Sequence, residues 1–118
     1  MPEAIIHIVR RRATPPMMRE MLQSLGSYVK LAVDVRRKVL AGGGGLHADC
    51  EQVLLEDGSH QEDIWGADWL PLSQEVQFEA LINIRPRQDN PSMIILDPEI
   101  CAQVETIARR LLEGVRPE

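Results

Sequence analysis

Residues 40–69 read LAGGGGLHADCEQVLLEDGSHQEDIWGADW and gather most of the side chains able to do chemistry. Behind four glycines come two histidines, a cysteine, seven carboxylates and two tryptophans. Imidazole and carboxylate are ligands for zinc or manganese, and an ion so held can activate water. His47, Asp49 and Glu51 at alternate positions, with Asp68 further on, form the candidate polar site for such a divalent ion. Neither C-x-x-C nor H-x-x-x-H spacing accompanies them, so the pattern supports half-sites and no firm metal or cofactor. Cys50 near His47 suggests a thiol–imidazole nucleophile, which needs the two groups within hydrogen-bond reach. The glycine run suggests a phosphate cradle, but Leu46-His47-Ala48-Asp49 stands where a P-loop needs Lys-Ser/Thr. The glycines fit a bent segment better, one that needs positive φ or close backbone approach.

Hydrophobic periodicity predicts the elements that would position these groups. IIHIV at residues 5–9 reads as a first strand. Thr14-Pro15 supplies a helix cap followed by an N1 proline. Met18, Met21, Leu22 and Leu25 then make a helical stripe, with Gly26 suited to its end. Val29, Leu31, Val33 and Val35 alternate with Lys30, Ala32, Asp34 and Arg36, a half-buried strand. A turn at Arg36-Arg37-Lys38 leads to a return strand from Val39 that the glycines interrupt. Residues 48–55 read as a strand joined through Asp57-Gly58, a strong hairpin turn, to a partner strand over 59–65. On that hairpin His47, Asp49 and Glu51 share a face with His60 and Glu62, while Cys50 and Trp65 point the other way. The thiol would then be kept from both histidines. Val76, Phe78, Ala80, Ile82 and Ile84 alternate over the clearest strand, and a short one follows at 93–96. Asp97-Pro98 opens a last helix with Ile100, Val104, Ile107, Ala108 and Leu111 as its buried stripe. The expected fold is α+β: an antiparallel meandering sheet with an N-terminal and a C-terminal helix packed on it, in β-α-β-β-β-β-β-α order.

The chain has 118 residues, 44% hydrophobic and 26% charged, which suits a single domain over residues 1–118. With only four aromatic residues the core must be mostly aliphatic. No apolar run approaches the ~20 residues of a membrane helix. The N-terminal pattern is not that of a signal peptide. The expectation is a cytosolic protein with its two cysteines reduced. The net charge is −5, and residues 39–84 hold nine Asp/Glu and no Lys or Arg. That predicts an acidic face, which repels nucleic acid and draws cations or a basic partner. Arg36, Arg37, Arg85 and Arg87 fall in predicted turns and are the candidate anion-binding set. The scarcity of aromatic rings for base stacking argues against RNA. A surface acidic on one side and basic on the other favours self-association. Trp65 and Trp69, four apart in a predicted loop, are the candidate interface; the alternative is that they plug the core.

The glycine run before HADCE at 42–51, DGS before QEDIWGA at 57–67, LINIRP at 81–86 and the Ser92-Met93 step resemble a family of small bacterial proteins. That family is frequent in cyanobacteria and known as a domain of unknown function. The resemblance spans nearly the whole chain, and Gly45 stands where the pattern carries a larger polar residue such as glutamate. It implies a small cytosolic domain and assigns no activity, substrate or catalytic residue. The functional expectation is a non-enzymatic interaction module that uses an acidic, tryptophan-bearing hairpin face and basic turns. Its partner would be a protein or a second copy, with no membrane. A metal-dependent, hydrolase-like module around His47, Asp49 and Glu51 is the alternative, and nucleic-acid binding through the arginine turns is a second.

Overall fold

The alternation at residues 29–35 builds the middle of the molecule. In the computed structural model, which describes residues 4–117, β2 (Val29–Asp34) lies between β3 (Val39–Gly44) and β4 (Ile64–Leu70). β1 (His7–Val9) adds beyond β3 and β5 (Glu75–Gln77) beyond β4. The five strands are antiparallel in the order β1-β3-β2-β4-β5. One face of the sheet presents Val29, Leu31, Val33, Leu40, Trp65, Ala67 and Trp69. α1 (Pro15–Met21) and α3 (Pro98–Leu112) bury it, as the two amphipathic stripes predict. Thr14 and Asp97 cap these helices, accepting hydrogen bonds from the Met17 and Glu99 amides. No helix among the described residues is long and apolar enough to cross a membrane.

The other face corrects the sequence reading. The expected hairpin strand at 48–55 is a helix, α2 (His47–Glu56), lying over Ala32, Val39, Ala41 and Ile64. Its inward positions are His47, Cys50, Glu51 and Leu54, spaced i, i+3, i+4 and i+7. Two of those four are polar, so the stripe does not register as an apolar helical face. Asp57-Gly58 is a helix end rather than a strand turn. The Ser59 amide donates to the Leu54 carbonyl at 2.9 Å and the Gly58 amide to Leu55 at 3.1 Å, with Gly58 left-handed at φ 103°. This double bond pattern closes a helix C-terminus.

The first three glycines of the run, Gly42 to Gly44, are the last part of β3, buried between the two helical layers. Lys30 pairs with Gly44 and Leu31 with Gly42, so Gly43 is the extra residue of a bulge. Its φ is 112°, and a Cβ there would sit 2.1 Å from the Ile5 carbonyl oxygen. Gly45 has open space around its Cβ position.

The strand expected over 76–84 also ends early. β5 stops at Gln77, and the chain leaves the sheet through short 3-10 turns at Leu81–Asn83 and Pro86–Gln88. The expected strand at 93–96 reduces to an antiparallel bridge between Glu79 and Ile94. Ala80 and Ile82 instead lie against Gly66, where a Cβ would come within 2.5 Å of the Ala80 methyl.

The bulge predicts a contrast within the glycine run. Gly43→Ala destabilises the protein by about 3 kcal/mol or more, from backbone strain and a clash that only backbone movement relieves. Gly45→Ala shifts stability by under about 0.5 kcal/mol. Urea unfolding of the two variants measures both.

Candidate functional site

α2 carries HADCE, and its first two turns divide the four expected site residues. His47 Nε2 lies 2.8 Å from Asp68 Oδ1 and 3.0 Å from the Ala67 carbonyl oxygen. Both partners are acceptors, so Nε2 holds a proton and donates. Lys30, the cross-strand neighbour of Asp68, donates from Nζ to the Gly45 carbonyl at 3.1 Å. One turn further along α2, Glu51 Oε2 accepts from Arg85 Nη2 at 3.1 Å. The Arg85 guanidinium also donates to the Ile82 and Gln61 carbonyls and lies 5.0 Å from the Trp65 ring centroid. Burial pushes the Glu51 carboxyl up and the Arg85 guanidinium down, and each group opposes the other's shift. Asp49 is exposed and takes no part in this cluster.

His47 and Asp68 are therefore brought together, Glu51 is held by an arginine, and Asp49 stays apart. Among the described residues no three His, Cys, Asp or Glu side chains converge as a metal-ligand group. Cys50 turns into the core, where its thiol donates to the Lys30 carbonyl at 3.4 Å. Burial pushes that thiol up to about 11, so it is protonated and not nucleophilic at neutral pH.

Some charged groups of the expected acidic face and basic turns bind one another. Arg36 pairs with Asp63 at 2.9 Å, and Arg37 reaches both Asp57 at 2.7 Å and Ser59 at 2.6 Å. Buried Asp34 accepts from the Arg36 and Arg37 amides and from the Ser59 hydroxyl, which ties the β2–β3 turn to the end of α2. With Arg85 buried, Arg87 is the one member of the anion-binding set with neither burial nor a side-chain partner among the described residues. Trp65 and Trp69 are 2% and 0% exposed and belong to the core beneath α1 and α3, not to a surface.

Two asparagines that the sequence reading left unassigned organise the irregular segment after β5. Asn83 is fully buried; its Oδ1 accepts from the Gly66 amide at 2.8 Å and its Nδ2 donates to the Gly66 carbonyl at 3.0 Å. Nδ2 also donates to the Met93 carbonyl. Asn90 Nδ2 donates to the carbonyls of Asn83, Ser92 and Ile94, and its Oδ1 accepts from the Leu96 amide. This scaffold holds large apolar side chains outward. Leu81, Ile84, Met93, Ile94 and Leu96 are 38–69% exposed, as is Leu46 at the start of α2. Leu81 and Ile82 form a ridge between two clefts. One cleft, of about 300 Å³, runs past Leu46, His47, Lys30, Glu79 and Met93. The other, of about 510 Å³, runs past Glu51, Ile84, Arg85 and Arg87. The signal in the sequence was LINI, whose apolar residues occupy both parities and so cannot all face one core in a strand.

These features define a small α+β domain with helices on both faces of an antiparallel sheet and a rigid non-repetitive segment along one sheet edge. The chain belongs to the family described as protein of unknown function (DUF5674), whose model matches residues 7–111. No curated protein and no solved structure matches it.

The Asp57 pairing carries a pH prediction. Hydrogen bonds from Arg10 and Arg37 hold the Asp57 carboxyl down at about 2, against ~3.9 in an unfolded chain. The stability it contributes is complete above the unfolded value and is lost as pH falls through about 2. Wild type therefore exceeds Asp57→Asn in stability at neutral pH, and the gap closes across that acid window. Urea titrations at a series of pH values check the slope.

Proposed function

We propose that this protein is a non-enzymatic binding module that docks a partner protein on the apolar strip formed by Leu46, Leu81, Ile84, Met93 and Ile94. The observation that carries the reading is the distribution of exposed large apolar side chains. Among the described residues seven large apolar side chains are exposed, and six of them come from Leu46 and residues 81–96; the seventh is Leu72. Scattered single exposed side chains need no explanation, but apolar residues gathered around shared clefts mark a recognition surface. The strip replaces the tryptophan-bearing hairpin as the docking element, since both tryptophans serve the core.

Rigidity supports the same reading. The segment has no regular secondary structure, yet Asn83, Arg85 and Asn90 fix its backbone through side-chain hydrogen bonds. A surface held in one shape before contact loses little conformational entropy on binding. The His47–Asp68 contact fastens α2 to β4, and His47 and Lys30 give the smaller cleft its polar lining. A site of apolar walls with a few directed polar groups suits a partner's side chain.

Site-specific photo-crosslinking in living cells tests the proposal. A crosslinking residue placed at Leu81 is expected to give a discrete protein adduct, and the same residue at Leu72 none. Absence of an adduct from Leu81 contradicts the docking role.

A further inference from the structure

The strip carries an unpaired charge at each end, of opposite sign; Lys30, which shares the smaller cleft, gives its ammonium to the Gly45 carbonyl. Glu79 stands on the wall of the smaller cleft and Arg87 on the wall of the larger, with the Leu81–Ile82 ridge between them. Both side chains are exposed, and neither has a hydrogen bond or ion pair among the described residues. That contrasts with Arg10, Arg36, Arg37, Arg85 and Arg109, all of which are paired with carboxylates within the chain. Asp89, close in sequence to Arg87, lines neither cleft.

An apolar centre with a free anion at one end and a free cation at the other is complementary to itself under a two-fold rotation. In that arrangement the ridge of one copy lies on the ridge of the other, and Glu79 of each meets Arg87 of its mate. Two-fold contacts use the same patch twice, so every favourable pair occurs twice. A partner of a single charge sign would satisfy one end of the strip and leave the other repelled or bare. Resting on the docking role argued above, we propose that the occupant of the strip is a second copy of this chain, in an isologous dimer closed by two Glu79–Arg87 ion pairs.

Sedimentation equilibrium of the full chain tests this with four variants: Arg87→Glu, Glu79→Arg, the double exchange, and Leu81→Asp. Leu81 and both charges are exposed, so all four fold, which far-ultraviolet circular dichroism verifies. The wild type is expected to dimerise. Each single reversal places like charges together at two symmetric points and weakens the dimer about tenfold, since exposed pairs contribute modestly one at a time. The double exchange restores the opposition of charges and returns the affinity to within about threefold of wild type. Leu81→Asp abolishes the dimer. A wild type monomeric at every concentration overturns the second-copy proposal while leaving a different protein as the strip's occupant. A dimer lost in Leu81→Asp but indifferent to both reversals overturns the charge pairing and keeps the strip. A dimer that survives Leu81→Asp overturns this proposal, whereas the docking role falls only if Leu81 gives no crosslinked adduct.

Discussion

Gly66 carries a backbone N–H and C=O on the side of β4 away from β2, at a height that β5 does not reach. One carboxamide, that of Asn83, meets both and does there what a further strand would do. A buried backbone group left unpaired costs about 1–3 kcal/mol, so this short contact holds a large share of the stability at that edge. It also sets the position of its neighbours in the chain. Gly66 has no side chain, so Ala80 and Ile82 can lie against the sheet. Arg85, two residues beyond Asn83, is brought over Trp65 and within reach of Glu51. The apolar residues left over, Leu81, Ile84 and Met93, have nowhere to go but outward.

The second consequence concerns α2. A helix with His47 and Glu51 on its inward side would be a poor candidate for burial on its own. Each polar group is matched, His47 by Asp68 and Ala67 from β4, and Glu51 by Arg85 from the edge segment. Removing water from an ion pair is expensive, and such pairs contribute more to register and uniqueness than to net stability. Here they set the height of the helix along the sheet, while Cys50 and Leu54 fill the apolar part of the contact. Three of the nine carboxylates of residues 39–84, Glu51, Asp57 and Asp63, are thus tied to arginines elsewhere in the chain.

Much of the frame was legible in the residues. Strand β2, the capped helices α1 and α3, the α+β class and the shared face of the two outer helices follow from alternation, i/i+4 spacing and cap chemistry, all of which are local. α2 was misread because its inward stripe is half polar, and the partners that make those positions buriable lie 21 and 34 residues away. Asp57-Gly58 supported the misreading, since a glycine with positive φ serves a helix end as well as a hairpin. The alternation at 76–84 was real but was used by a chain leaving the sheet. His47 and Asp68 of the candidate site do meet, whereas the parts played by Asn83 and Asn90 depend on carbonyls that only the folded edge brings near. No local signal distinguishes such an asparagine from one in an exposed turn.

The central claim is that a side chain completes the sheet edge and so makes the segment after β5 rigid. Native-state hydrogen exchange at the Gly66 amide tests it most directly, because no strand neighbour protects that N–H. The account predicts that it exchanges as slowly as the amides of central strand β2, through global unfolding alone. Exchange at the rate of an exposed loop would show that the Asn83 contact opens readily, and the account of the edge, the strip and the placement of α2 would be contradicted.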